Sequence, residues 1–305
     1  MQQAFARLGS LRTVSSPRYS RLRVAAIGFL NPAPLMWDFE HPPLAQSLAA
    51  RYQIESMLPS ECADRLSSAA ADIGLVPIAA LASNPALKIL PGCTIASKRK
   101  VRSLLLVRKA KQPIAKLRSV AADTASRTTL AYSRILFHEW GNPAVEYIPM
   151  AADLDTMLER ADAAILIGDP ALMALEERAN RYERAGEELV YHDLADEWVS
   201  LMGVPFVSAV WAATHDARID EEVEADFIRS RDNGLANMDA LVAEWARKLP
   251  LPEDTIRTYL TANIHYVLDE ECVEGMRVFY RMAGKYGVLP EYDLGEVSGF
   301  AIRSL

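Results

Sequence analysis

What most constrains this chain is a series of short apolar runs, each of strand length and each stopped by a breaker. Residues 23–30 read RVAAIGFL and end at Asn31-Pro32. The runs at 72–78, 102–107, 120–122, 163–167 and 204–212 have the same form. A strand that is apolar at every position is buried on both faces, which requires helices above and below its sheet. The stretches between the runs supply them: 44–51, 60–70, 126–140, 155–160 and 170–179 read as helices, with Ser60 as an N-cap and Glu61 in the first turn behind it. This βαβ rhythm predicts an α/β architecture with largely parallel sheets. From about Ile219 the pattern changes. Helical periodicity at 221–231, 238–249, 253–259 and 270–285 predicts a helical C-terminal region without strands.

A chain of 305 residues exceeds a comfortable single core, so two lobes are expected. The net charge of −7 weighs against a nucleic-acid partner, whose phosphates need a clustered basic surface, but leaves room for a local anion pocket. No apolar run approaches the ~20 residues of a membrane span, so no membrane partner is expected. The first 23 residues carry five arginines and no acid, without the apolar core of a secretory signal. Such an end is also compatible with organellar targeting, but a leader on a cytoplasmic protein is the working expectation. Cys62, Cys93 and Cys272 are few and irregularly spaced, as in a reducing compartment. The five histidines include no i, i+4 pair, so no metal is expected. The motifs GxGxxG, GxxxxGK[ST] and GxSxG do not occur. Dinucleotide, ATP and covalent-triad chemistry lose weight accordingly.

Polar residues follow the apolar runs at three places: Asn31, the group Ser126-Arg127-Thr128-Thr129, and Gly168-Asp169. In open α/β sheets, ligands bind outside the carboxyl ends of the strands, so these three can converge on one cleft. Each also has a plainer explanation. Asn31-Pro32 is a turn initiator, Asp169 before Pro170 suits an N-cap, and Ser126 suits another. The 126–129 group exceeds what a cap needs. Several hydroxyls beside first-turn amides make an anion site, and Arg127 adds a possible bidentate fork. Ser97 and Ser103 flank the basic run 98–102 (KRKVR), which reads either as part of the same anion pocket or as a solvated loop.

Six blocks in order carry a family resemblance: GFLNPAPL at 28–35, ADIGLVPIAAL at 71–81, Ser97 followed by VRSLLLV at 101–107, DTASRTT at 123–129, ADAAILIGDPAL at 161–172 and GVPFVSAVWAA at 203–213. Together they resemble the chorismate dehydratase family of the futalosine route to menaquinone. The resemblance implies a two-lobed fold of the type II periplasmic-binding-protein kind, with the ligand in a cleft between lobes. Residues 22–107 plus 209–305 would form lobe 1, residues 108–208 lobe 2, and residues 1–21 a disordered leader.

The reaction implied is removal of water from chorismate to give 3-[(1-carboxyvinyl)oxy]benzoate. The ring hydroxyl leaves, along with the proton on the carbon bearing the enolpyruvyl ether. No metal or redox cofactor is implied. By resemblance, Ser126, Arg127, Thr128 and Thr129 hold one carboxylate and Ser97 and Ser103 the other end, while Asn31 orients the leaving hydroxyl or the enolpyruvyl carboxylate. Gly168 and Asp169 form a further wall, with Asp169 a possible general base. The substrate's own side-chain carboxylate would take the proton. Two departures stand out. Lys98-Arg99-Lys100 replaces a segment that usually carries glycine, and Thr129 replaces a serine. The alternatives are the related enzyme of the same route that forms a dihydroxynaphthoate, and a binding protein for a small carboxylate.

Overall fold

The computed structural model describes residues 21–295 except 124, 126 and 187, together with Val297. The expected leader therefore lies, but for Arg21, outside the described residues. Eleven strands form two sheets among the described residues. The first contains β1 (Leu22–Ile27), β2 (Tyr52–Met57), β3 (Ile73–Pro77), β4 (Lys88–Ser97), β10 (Phe206–Ala213) and β11 (His265–Val267) in the order β11-β4-β10-β3-β1-β2. The second contains β5 (Leu104–Lys109), β6 (Ser119–Asp123), β7 (Glu146–Met150), β8 (Ala163–Ile167) and β9 (Leu189–Asp193) in the order β7-β6-β8-β5-β9. The chain thus passes from one sheet to the other between Ser97 and Leu104, ahead of the expected 107/108 division, and returns between Asp193 and Phe206.

The wholly apolar runs are the central strands. β3 and β8 are buried at every residue, and β1 at its last four. The strands that the pattern did not announce are mostly edges. β2 (YQIESM), β7 (EYIPM) and β9 (LVYHD) alternate or stay half-exposed, because an edge strand has a neighbour on one side only. β4 was hidden for another reason: Pro91-Gly92 reads as a turn yet sits mid-strand, where the register to β10 shifts. The short β11 corrects the expectation of a strand-free C-terminal region.

The sheets are mixed rather than largely parallel. β1 runs parallel to β2 and β3, and β6 parallel to β7 and β8. β10 is antiparallel to β3 and β4, and β5 antiparallel to β8 and β9. Both β5 and β10 are strands that arrive from the other sheet, so no helical crossover turns them parallel.

Two features of the C-terminal region bear on the site. Helix Glu221–Ala236 lies against the turn that follows β1. A Cβ on Gly234 would stand 2.1 Å from the Pro34 carbonyl oxygen, so only glycine permits this approach. On the same helix, Ser230 donates to the Leu35 carbonyl at 2.8 Å and accepts from Asp38 N–H at 3.0 Å. The segment carrying Asn31 is therefore clamped from behind. Helix Arg127–Glu139 lies between the sheets. Its Tyr132 is fully buried against Trp198, Phe206 and Phe279, and its hydroxyl accepts from Val207 N–H at the start of β10.

Candidate functional site

The candidate site gathers the ends of β1 and β8 with the crossover 98–103, and the ends of β3 and β6 with the start of helix Arg127–Glu139. After β1 the chain turns through Phe29 and Leu30 to Asn31. The amide oxygen Oδ1 of Asn31 is buried and has no hydrogen-bond partner among the described residues. A buried acceptor without a partner loses its hydration uncompensated, unless a ligand completes it.

Across from it, β8 ends at Ile167 and is followed by Gly168, whose φ of +61° lies in the left-handed region. A Cβ there would come within 2.8 Å of the Phe29 ring. Gly168 thus serves both a backbone turn and a close seat for Phe29. The Gly168 N–H donates to the Ser103 carbonyl at 2.8 Å. The next residue corrects one of the two readings offered for it. Asp169 does not cap the helix: Gly168–Glu176 starts one residue earlier, and no side-chain cap bond is made. Instead the carboxylate Oδ1 accepts from the Leu30 N–H at 3.1 Å, joining the two sheets' loops. Asp169 is only 8% exposed. Burial pushes its pKa up to about 6, and the single Leu30 N–H opposes that only in part.

At the end of β6, Asp123 is buried and accepts from Ala125 N–H at 3.0 Å. Burial raises its pKa, while the N–H groups of Ala125 and Ile167 pull it down. This carboxylate, absent from the expected site, ties the loop after β6 to the end of β8. The Ala125 carbonyl in turn accepts from Ser60 N–H at 3.2 Å. Ser60 is not an N-cap: helix Pro59–Ser67 begins ahead of it, and Glu61 closes back on the Leu58 N–H at 2.9 Å.

Of the 126–129 group, Ser126 lies outside the described residues. Thr128 and Thr129 are buried. Thr128 Oγ1 accepts from the Ala79 N–H at 3.0 Å, at the start of helix Ala79–Ser83. A hydroxyl that accepts in this way keeps its own O–H to donate. The guanidinium of Arg127 is turned elsewhere. It pairs with Asp64 at 2.6 Å, with 45% and 62% of the two side chains exposed. The expected fork onto a ligand carboxylate is not the geometry seen, because a surface carboxylate from helix Pro59–Ser67 lies within its reach.

The crossover 98–103 distinguishes the two serines that flank it. Ser97 Oγ donates to the Arg99 carbonyl at 2.8 Å and accepts from Arg99 N–H at 3.3 Å. Its proton is committed to its own loop. Ser103 Oγ accepts from the Tyr259 hydroxyl at 2.8 Å, so its own O–H remains to donate. The basic residues are surface features. Lys98 bridges Asp269 and Glu271, Lys100 lies 3.8 Å from Asp196, and Arg99 is exposed. Any anion here is therefore met chiefly by hydroxyls, amides and helix N-termini. Away from this junction, donor atoms of His265, Asp269 and Cys272 lie within 4.8 Å of one another. Asp269 already accepts from both Lys98 and His265 there, at 2.8 Å each.

The arrangement of two mixed α/β sheets, joined by two crossovers with polar residues at facing strand ends, is that of a periplasmic-binding-protein-like fold. Solved structures with the same fold include a protein from Archaeoglobus fulgidus (TM-score 0.67, 17% identity, 88% of this chain and 98% of that one). Another is a Candida albicans protein described as exhibiting the generic periplasmic binding protein fold (TM-score 0.61, 16% identity, 90% and 92%). A third is the alkanesulfonate-binding protein of Xanthomonas axonopodis pv. citri (TM-score 0.61, 14% identity, 90% and 96%). At these identities the likeness shows the fold alone. The chain belongs to the menaquinone biosynthesis family, whose model matches residues 22–285. It is also 28% identical over 206 residues to the chorismate dehydratase of Thermus thermophilus, covering 65% of this chain and 74% of that relative. Among the described residues, no helix is long and apolar enough to cross a membrane.

Proposed function

We propose that this chain is a cytoplasmic hydro-lyase, a chorismate dehydratase that converts chorismate to 3-[(1-carboxyvinyl)oxy]benzoate and water on the futalosine route. One observation carries the reading most: the buried, unpartnered Oδ1 of Asn31 stands one residue from the Leu30 N–H that binds Asp169. A polar acceptor and a carboxylic acid whose pKa is raised to about 6 are thereby held on neighbouring loops, and Ser103 and Thr128 each keep an O–H to donate. The likeness to the Thermus thermophilus enzyme supplies the reaction.

The substrate carries two carboxylates. The O–H groups of Thr128 and Ser103 donate to them, the family resemblance carries over Thr129 and Ser126 as further contacts, and the partial positive N-terminus of helix Arg127–Glu139 adds to the attraction. Asn31 accepts from the ring hydroxyl through Oδ1 and donates through Nδ2 to the enolpyruvyl carboxylate, which it orients towards the proton on the ether-bearing carbon. That carboxylate takes the proton, and the ring carboxylate delocalises the developing charge. The C–O bond to the ring hydroxyl then breaks, and Asp169, protonated in part near neutral pH, gives its proton to the departing oxygen. The side-chain carboxyl returns a proton to Asp169, so the balance is one substrate to one product and one water. Closure of two lobes, divided near 97–104 and 193–206, excludes solvent during these steps.

The test is turnover of chorismate by the purified chain, followed as growth of benzoate absorbance. Asn31→Asp should retain substrate binding and lose about a hundredfold or more in kcat, the scale of a lost oriented polar contact in a transition state. Binding of chorismate without conversion by the folded wild-type chain would replace the dehydratase reading with that of a carboxylate-binding protein. An unchanged kcat in Asn31→Asp would remove Asn31 from the mechanism.

A further inference from the structure

Ser103 is the most completely held residue at the junction. Its carbonyl accepts from Gly168 N–H at 2.8 Å. The two residues before it, Val101 and Arg102, donate their N–H groups to Asp193 Oδ2 at 2.9 and 2.6 Å. Arg102 takes a φ of +66°, outside the comfortable range for a residue with a side chain, and is kept there by the same carboxylate. The Ser103 hydroxyl oxygen accepts from Tyr259 at 2.8 Å, while Ser103 is 2% exposed and Tyr259 0%.

Tyr259 comes from the C-terminal helical region, from a sequence neighbourhood with no motif. It opens a π-helical turn, Tyr259–Asn263, a geometry met mostly as single turns at functional places. The far end of that turn holds the same crossover, for Asn263 Nδ2 donates to the Lys100 carbonyl at 3.1 Å. A buried phenol is a better donor than an aliphatic hydroxyl, so Tyr259 donates and Ser103 accepts. The Ser103 rotor is then fixed by the hydrogen bond it receives, and its proton is directed elsewhere.

We propose that Tyr259 is a positioning residue for substrate, acting through Ser103: it holds the Ser103 hydroxyl as a pre-aimed donor to one carboxylate of the ligand. This rests on the reading of Ser103 as a ligand contact in a chorismate dehydratase. It explains why a π-helical turn of the C-terminal region is docked against the crossover between the two sheets. Tyr259 does not touch substrate. Its effect is on the orientation of a group that does, and so on ground-state binding more than on the chemical step.

The experiment is a double-mutant cycle on chorismate turnover with Tyr259→Phe, Ser103→Ala and the pair, with thermal melting of each. Phenylalanine keeps the ring in its buried seat. Tyr259→Phe is expected to raise KM about three- to tenfold, with kcat within about twofold of wild type. In the Ser103→Ala background the same change should leave KM where Ser103→Ala alone puts it. A purely structural phenol would lower the melting temperature of both backgrounds equally and leave KM unmoved; that result overturns the proposal alone. If Ser103→Ala turns over chorismate with wild-type KM, Ser103 is no ligand contact and the proposal falls while the reaction stands. If the wild-type chain does not convert chorismate at all, the reading of the reaction and the proposal fall together.

Discussion

The carboxylate of Asp169 and the backbone N–H of Leu30 meet at 3.1 Å across the junction of the two sheets, 139 residues apart in the chain. The contact takes a buried acid that burial alone would neutralise and gives it one donor. It also sets that acid beside Asn31.

From this follows a pH-dependent stability. In the unfolded chain Asp169 loses its proton near the ordinary carboxyl value, about 3.9; in the fold it keeps it to about 6. Between these values the folded state binds more protons, so stability declines as pH rises through about 4 to 6 and stays reduced above. Asp169→Asn keeps an acceptor for Leu30 and cannot ionise. It should be more stable than wild type at pH 8, by roughly 1–3 kcal/mol, and about equal to it at pH 4, while losing turnover. Melting curves at both pH values test this. Equal stability at pH 8 would mean that the carboxylate is not strained by burial.

Thr128 supplies the acceptor for the buried Ala79 N–H. Thr128→Val keeps the shape and removes the oxygen, leaving that amide without a partner. A loss of about 1–3 kcal/mol is expected in urea unfolding, with a raised KM for substrate, whereas Thr128→Ser should preserve most of both. Wild-type stability in the valine variant would show that Ala79 is satisfied in some other way.

Arg127 is expected to matter little. Its partner Asp64 is on the surface and both side chains are about half exposed, so the pair is screened and contributes about 0–1 kcal/mol. Arg127→Ala should change KM less than about threefold. A tenfold or larger rise would mean that the guanidinium leaves Asp64 for the ligand.

Gly168→Ala combines two costs: a left-handed φ that disfavours alanine by about 1–2 kcal/mol, and a methyl within 2.8 Å of the Phe29 ring. A destabilisation of about 1–3 kcal/mol is expected in urea unfolding, together with lowered turnover as Phe29 and the 28–31 loop are displaced. An unaffected variant would mean that Phe29 is loosely seated.

The central strands were legible in the sequence because burial on both faces leaves an unbroken apolar run. β3 and β8 carry their address in composition alone. Asn31 and the 126–129 group stand out at strand ends, but each also fits a turn or a cap, so the sequence leaves their role open. The edge strands were less legible, because one-sided neighbours impose no such run, and β4 was masked by a Pro-Gly pair.

Three-dimensional packing decided what each polar group is spent on. Ser97 and Ser103 look equivalent in the sequence, yet one gives its proton to its own loop and the other is held by Tyr259, 156 residues away. Asp169 reads as a cap and is instead a contact between the loops of the two sheets. Arg127 reads as a ligand fork and is placed against Asp64. Short-range sequence fixes which groups can donate or accept, because that is a property of the side chain and its local backbone. Which partner is within 3 Å depends on segments far apart in the chain, and only the folded arrangement brings them together.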